Sequence, residues 1–280
     1  MQFKIVADSS SDLRTLAQVN FACVPLKITF GQKTYVDDEQ LDVAHLVAEL
    51  REYKGKTVTA CPGPEDWLKA FGDADRVLCV TITSNLSGSY NAACLAAREY
   101  EEAHPGRRVH VIDTLSAGPE LRLMAEKLES LICRGMDFDA IIAEAAAYLK
   151  RTKLIFSLRS LHNLVQNGRV SPAVGMLAGL LGIRLVGKAS DQGTLEPTAK
   201  CRGDKKTLQE LFTSMCELGY KGGKACIHHC FNEEFAASLK DMLVNKFPGA
   251  QIIIDRTGGL CSYYAEEGGV LVGFETEPAV

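Results

Sequence analysis

Hydroxyl and carboxylate side chains gather where apolar runs of this sequence end. The densest case follows Val77 to Val80, a short apolar run of the kind that fills a sheet buried on both faces. Thr81, Thr83, Ser84, Asn85, Ser87 and Ser89 come next, with Gly88 at the entrance to a helical pattern running from Tyr90 to Arg98. A strand end that feeds a helix start leaves free backbone N–H groups and a partial positive charge, so a small anion is well received there. The hydroxyls add uncharged donors, and together they can hold a carboxylate or a phosphate without a metal. The plainer alternative is an N-cap at Ser87 and a turn satisfied by its neighbours.

The same arrangement recurs. Lys4 to Ala7 is followed by Asp8-Ser9-Ser10-Ser11-Asp12, and Val109 to Ile112 by Asp113-Thr114-Leu115-Ser116. Thr59 closes a short strand in KTVTACPGP that breaks at Pro62, which leaves its hydroxyl at a strand end. Open α/β sheets put their ligands at such carboxyl-terminal strand edges. Two arginines are further candidates. Arg169 follows Gly168 at a helix end and reads equally as a surface residue compensating the helix dipole or as an anion contact. Arg256 opens Arg256-Thr257-Gly258-Gly259-Leu260 after a strand, a segment otherwise read as a tight turn.

Other chemistries fit less well. Cys226-Ile227-His228-His229-Cys230 lies on an expected strand, where neighbouring side chains alternate faces, and no second ligand pair is spaced as a zinc site requires. Gly55-Lys56-Thr57 resembles the end of a phosphate-binding loop, but the glycine that loop needs is Leu50. There is no G-x-S-x-G elbow for a serine hydrolase. Asn85-Leu86-Ser87 is formally a glycosylation acceptor, without meaning in a protein that is not exported.

The elements that must position these residues alternate. Strands are expected over Lys4 to Ala7, Cys23 to Phe30 with Lys33 to Val36 as a hairpin, Lys56 to Pro64, Val77 to Val80 and Val109 to Ile112. Helices are expected over Val43 to Glu52, Tyr90 to Arg98, Pro119 to Arg134 and Phe138 to Arg151. That alternation implies a parallel sheet flanked by helices, closing as a first domain near residue 152. The remainder reads as a smaller α/β domain, residues 153 to 280, with a brief strand Leu154 to Phe156, a helix Leu158 to Gln166, a hairpin of Arg184 to Lys188 and Thr194 to Cys201, and further strands and helices to Phe274. Residues 173 to 183 are nearly devoid of polarity, which fits a buried helix or the wall of an apolar cavity.

At 280 residues two domains are favoured over one. The net charge of −4 excludes a general nucleic-acid or anionic-membrane binder, which needs a basic surface. No apolar run spans a bilayer, and the first residues carry no charged-then-apolar leader, so stable membrane insertion and export are not expected. Ten cysteines sit at scattered, core-like positions rather than in a disulfide framework, as in a reduced cytoplasmic protein. Strand ends bearing hydroxyls or arginine, one long apolar segment and no evident general base or metal together suit a ligand with a small acidic head and a long apolar body.

IVADSSSDL, TACP, TSNLSGSYNAA, NGRVSPA and RTGGL resemble, in that order and over nearly the whole chain, the DegV family of bacterial fatty-acid-binding proteins. The resemblance implies a two-domain α/β fold with the ligand between the domains. It implies one fatty acid with its tail buried and its carboxylate hydrogen-bonded by hydroxyls, no cofactor, and in some members presentation of that carboxylate to a separate ATP-dependent fatty acid kinase. Thr59 matches the threonine of the family's T-S-Q-P segment, and Ser84 and Ser87 the serines of its S-S-x-L-S-G-T segment, so the resemblance assigns these, with Gly88, to the carboxylate. This chain departs in reading Ala60 and Cys61 within T-S-Q-P, and in placing Arg256 where the family's H-x-G-P-G begins with histidine. Arg256 is then expected to pair with the carboxylate if it points inward. Arg169 remains a possible contact to head group or partner. A rival from another class is a small-molecule phosphotransferase using the same strand ends, with Asp8 as its best candidate base.

Overall fold

The computed structural model describes residues 2–175 and 182–276. Among them thirteen strands form three sheets. Strands β1 (Phe3–Asp8), β2 (Asn20–Val24), β6 (Arg76–Thr81) and β7 (Arg108–Asp113) make a parallel sheet in the order β2-β1-β6-β7. Strands β3 (Lys27–Phe30), β4 (Lys33–Val36) and β5 (Thr57–Ala60) make a small antiparallel sheet, β4-β3-β5. The rest, β8 (Thr152–Leu158), β9 (Ile183–Ala189), β10 (Leu195–Arg202), β11 (Lys224–His229), β12 (Gln251–Arg256) and β13 (Val270–Glu275), form a mixed sheet ordered β10-β9-β8-β13-β11-β12. The helices are α1 (Val43–Glu52), α2 (Pro64–Phe71), α3 (Ser89–Ala103), α4 (Pro119–Cys133), α5 (Phe138–Leu149), α6 (His162–Gln166), α7 (Pro172–Gly175), α8 (Asp204–Glu217), α9 (Glu233–Lys246) and α10 (Gly259–Ala265).

The first two sheets draw on the chain before residue 152 and the third on the chain from there onward. Helix α4 joins them, because its Leu121, Met124 and Leu128 are buried in one core with Ile5 and Leu78 of the parallel sheet and Cys226 of the mixed sheet. Strands β1 and β6 are buried on both faces, which is why their sequences are continuous apolar runs instead of alternating ones.

Three expectations are corrected and one further helix appears. Cys23 to Phe30 is two strands in two sheets, since Pro25 has no N–H to continue a ladder and breaks the run between β2 and β3. Strand β8 continues to Leu158, paired with Leu185, and the following helix starts only at His162, where the Ser160 hydroxyl accepts the His162 N–H at 3.0 Å. Pro64 to Phe71, unremarked as a helix in the sequence, is α2, with Pro64 in its first turn. The Arg256 to Leu260 segment is not merely a turn: it leads into α10. Six residues of the apolar segment 173 to 183, numbers 176 to 181, lie outside the described residues.

Candidate functional site

The parallel sheet reverses its winding between β1 and β6, since β1 connects toward β2 on one side and β6 toward β7 on the other. A crevice opens beyond the carboxyl ends of strands at such a point. Asp8 ends β1 at this point. Its carboxylate is fully buried and accepts the Ile82 N–H at 2.9 Å, the Ser89 hydroxyl at 2.7 Å, the Ser10 N–H at 3.3 Å and the Ser10 hydroxyl. Burial pushes its pKa up, against those hydrogen bonds. One side chain thus ties the end of β1 to the end of β6 and the start of α3. With its oxygens so engaged and no place in the cavity wall, Asp8 is not presented as a base to a ligand, which removes the residue on which the phosphotransferase alternative depended.

A second polar cluster places α10. Asp37 accepts the N–H groups of Gly259 at 2.8 Å and Leu260 at 2.9 Å, and Arg14 at 2.7 Å. Asp12 accepts the Gly258 N–H at 2.7 Å and meets His228 Nδ1 at 2.7 Å. Carboxylates from the first part of the chain therefore satisfy the otherwise free donors at the start of a helix from its last part. In the Cys226 to Cys230 segment His228 Nδ1 meets Asp12 and His229 Nδ1 accepts the Asn232 N–H. Among the described residues no cluster of His, Cys, Asp or Glu is placed to hold a metal.

Between these clusters lies an apolar cavity of about 290 Å³. Leu154, Phe156 and Leu158 of β8 and Leu271 of β13 form one wall, and Leu26, Ile82 and Leu260 face them. At one end the lining turns polar. Thr59, Ser87, Gly88, Arg169 and Tyr264 converge there. The Thr59 and Tyr264 hydroxyls are 2.7 Å apart, and burial raises the Tyr264 pKa, so the phenol stays a neutral donor. Arg169 Nε donates to Leu86 O at 3.1 Å and its guanidinium also reaches Asn167 O, which fixes it across the loop before α3. The lining holds no carboxylate, imidazole or ammonium among the described residues. The hydroxyls of Thr59, Ser87 and Tyr264, the Gly88 backbone and one guanidinium can hold an anionic head, while the leucine-rich wall takes an apolar chain.

Of the residues singled out in the sequence, Thr59, Ser87, Gly88 and Arg169 come together here. Ser84 does not line the cavity; its N–H donates to Asp113 Oδ1 at 3.1 Å, in the neighbouring loop. Arg256 is also elsewhere. It ends edge strand β12, is 65% exposed and pairs with Glu233 at the start of α9, Nε to Oε1 at 3.0 Å, so its charge is met outside the cavity. Ser10, Cys61 and Tyr264 line the cavity without having been singled out as ligand contacts. Ser10 was in sight within the Asp8 to Asp12 cluster. Tyr264 carries no signal in the sequence, because the segment that starts its helix reads as a turn.

A family profile described as "Uncharacterised protein, DegV family" matches residues 2–277. A DegV domain-containing protein of Streptococcus gordonii is 45% identical over 279 residues, covering 98% of this chain and 99% of the relative. Two solved structures superpose closely. A DegV family protein from Eubacterium eligens loaded with heptadecanoic acid has a TM-score of 0.96 and 44% identity, covering 98% of this chain and all of its own. The Streptococcus pneumoniae Fatty Acid Kinase (Fak) B3 protein loaded with linoleic acid has a TM-score of 0.98 and 43% identity, covering 99% of this chain and all of its own.

Proposed function

This chain belongs to the DegV family, and from that membership and the cavity we propose that it is a carrier for one long-chain fatty acid, whose carboxylate it presents to a separate fatty acid kinase. The acyl tail lies along the β8 wall. Thr59, Ser87, the Gly88 backbone and Arg169 receive the carboxylate, with Tyr264 orienting Thr59. Residues 1–152 supply the head-group loops and residues 153–280 most of the apolar wall, so the ligand bridges two domains. The carrier is not itself an enzyme and uses no cofactor: the phosphoryl donor and the base belong to the kinase. Residence in the cytoplasm follows from a partner that consumes ATP; no helix among the described residues is long and apolar enough to cross a membrane.

One observation carries this reading: a cavity with a leucine-rich wall ends in hydroxyls and one guanidinium, and among the described residues its wall offers no carboxylate to repel an anionic head. The tail supplies most of the affinity, since burying a long chain at about 0.8 kcal/mol per methylene gains roughly 10 kcal/mol. The head group then fixes orientation.

The test uses palmitate labelled at its carboxyl carbon. A single bound resonance, moved by Thr59→Val and by Arg169→Met, supports the assignment, as does acyl phosphate that forms from loaded protein and ATP only when a fatty acid kinase is added. Acyl phosphate made by the protein alone would refute the carrier role.

A further inference from the structure

The cavity-facing side of the mixed sheet lacks one side chain where the acyl chain has to pass. Leu154, Phe156 and Leu158 share a face of β8, so the first and last stand about 13 Å apart at the usual strand rise. Leu158 is the last residue of β8, where the strand leads on to α6 and the Arg169 turn of the head-group end. Leu154 marks the far end. It pairs with Gly273 of β13, and the first turn of α4 lies directly over that glycine, where a Cβ would stand 2.6 Å from Glu120 N.

Phe156 stands between these limits, in a row formed by Gly187 of β9, Phe156 and Leu271 of β13. Residues directly opposed across a ladder present their side chains to the same face. Gly187 presents none, and the Phe156 ring occupies its place: a Cβ at Gly187 would overlap the ring, with Phe156 Cε2 at 2.6 Å, and would meet Glu196 O at 2.6 Å. The ring thus leans over β9 and borders, without closing, the path between Leu158 and Leu154.

We propose that Gly187 and Phe156 set the acyl chain length this cavity admits, Gly187 as a positioning residue that lets the Phe156 ring lie over β9 and leaves the channel open as far as Leu154. Any side chain at position 187 stands the ring up into the channel and cuts its usable length at the level of Phe156. A smaller residue at position 156 widens the channel at the same level. This inference rests on the fatty-acid reading of the cavity.

The experiment measures dissociation constants for a series of saturated fatty acids of graded length with the wild type, Phe156→Leu, Gly187→Ala and the double variant. The readout is the ratio of affinities for long and short chains, which a general loss of stability does not move. Gly187→Ala is expected to shift that ratio toward short chains by about tenfold or more, the usual discrimination against an excess methylene in an apolar pocket. Phe156→Leu shifts it toward long chains, and the double variant returns toward the wild type. Should Gly187→Ala fail to fold, because of Glu196 O, Phe156→Leu decides alone. A wild type that binds while Phe156→Leu keeps its length ratio overturns this assignment only. A wild type that binds no chain of any length overturns both this assignment and the carrier reading.

Discussion

Thr59 Oγ1 of β5 and Tyr264 Oη of α10 lie 2.7 Å apart, joining residues that are 205 positions distant in the chain. Each is placed by its own partners: β5 pairs with β3, and α10 begins on the carboxylates of Asp12 and Asp37. The head-group end of the cavity therefore exists only when the first and last parts of the chain are docked.

Tyr264→Phe removes one neutral hydrogen bond and leaves the cavity shape intact. Fatty-acid affinity is expected to fall by about fivefold, the equivalent of roughly 1 kcal/mol. Titration with a fluorescent fatty acid checks it, and a loss of a hundredfold or more would mean that the phenol contacts the ligand itself. In Thr59→Ala with Ser87→Ala, the bound lipid content stays close to normal while the carboxyl resonance moves; complete loss of lipid would contradict the division between tail affinity and head orientation.

Arg169 is the only guanidinium in the lining among the described residues. Arg169→Met keeps most of the stem and deletes the charge, so binding of an ionised fatty acid should weaken by about tenfold, the lower end for a hydrogen bond to a charged group. Binding of the methyl ester should not change. Equal losses for acid and ester, measured side by side, would show that Arg169 acts through packing instead.

Asp37→Ala leaves the Arg14 guanidinium without its carboxylate and two N–H groups of α10 without their acceptor. A stability loss of about 3 kcal/mol is expected in chemical denaturation, the scale for breaking a largely buried charged pair. Ligand affinity should fall with it, because α10 carries Tyr264. A loss under about 1 kcal/mol would mean that water replaces the carboxylate at no great cost.

Glu120 is 5% exposed and accepts the hydroxyls of Ser116 at 2.5 Å and Thr152 at 2.6 Å. Burial raises its pKa above the ordinary carboxylate value. The folded state then holds its proton to higher pH than the unfolded state, so Glu120 contributes stability that is fully present below its unfolded pKa and is lost as pH rises through the folded one. Glu120→Gln removes that titration. Denaturation midpoints across acidic to neutral pH should show the wild type losing ground to the variant as pH rises, and parallel curves would contradict it.

Much of this architecture was legible because period and composition carry it. The two-faced apolar runs of β1 and β6 are local signals, and each names its element. Thr59 and Ser87 were legible as strand-end hydroxyls, and the family resemblance assigned them a ligand. Arg256 shows what periodicity leaves open: its sequence places it at a strand end, but only the neighbouring Glu233 decides which way it points. Tyr264 was hidden for a related reason. Gly258-Gly259 reads locally as a turn, and α10 starts there because Asp12 and Asp37, more than two hundred residues earlier, supply the acceptors.

The most direct test of the carrier role is mass spectrometry of the purified protein, first native and then denatured. One fatty acid per chain, retained in the native spectrum and released on denaturation, is the expected result, and its mass names the preferred chain. A protein that is empty as purified and stays empty after incubation with fatty acids of graded length would contradict it.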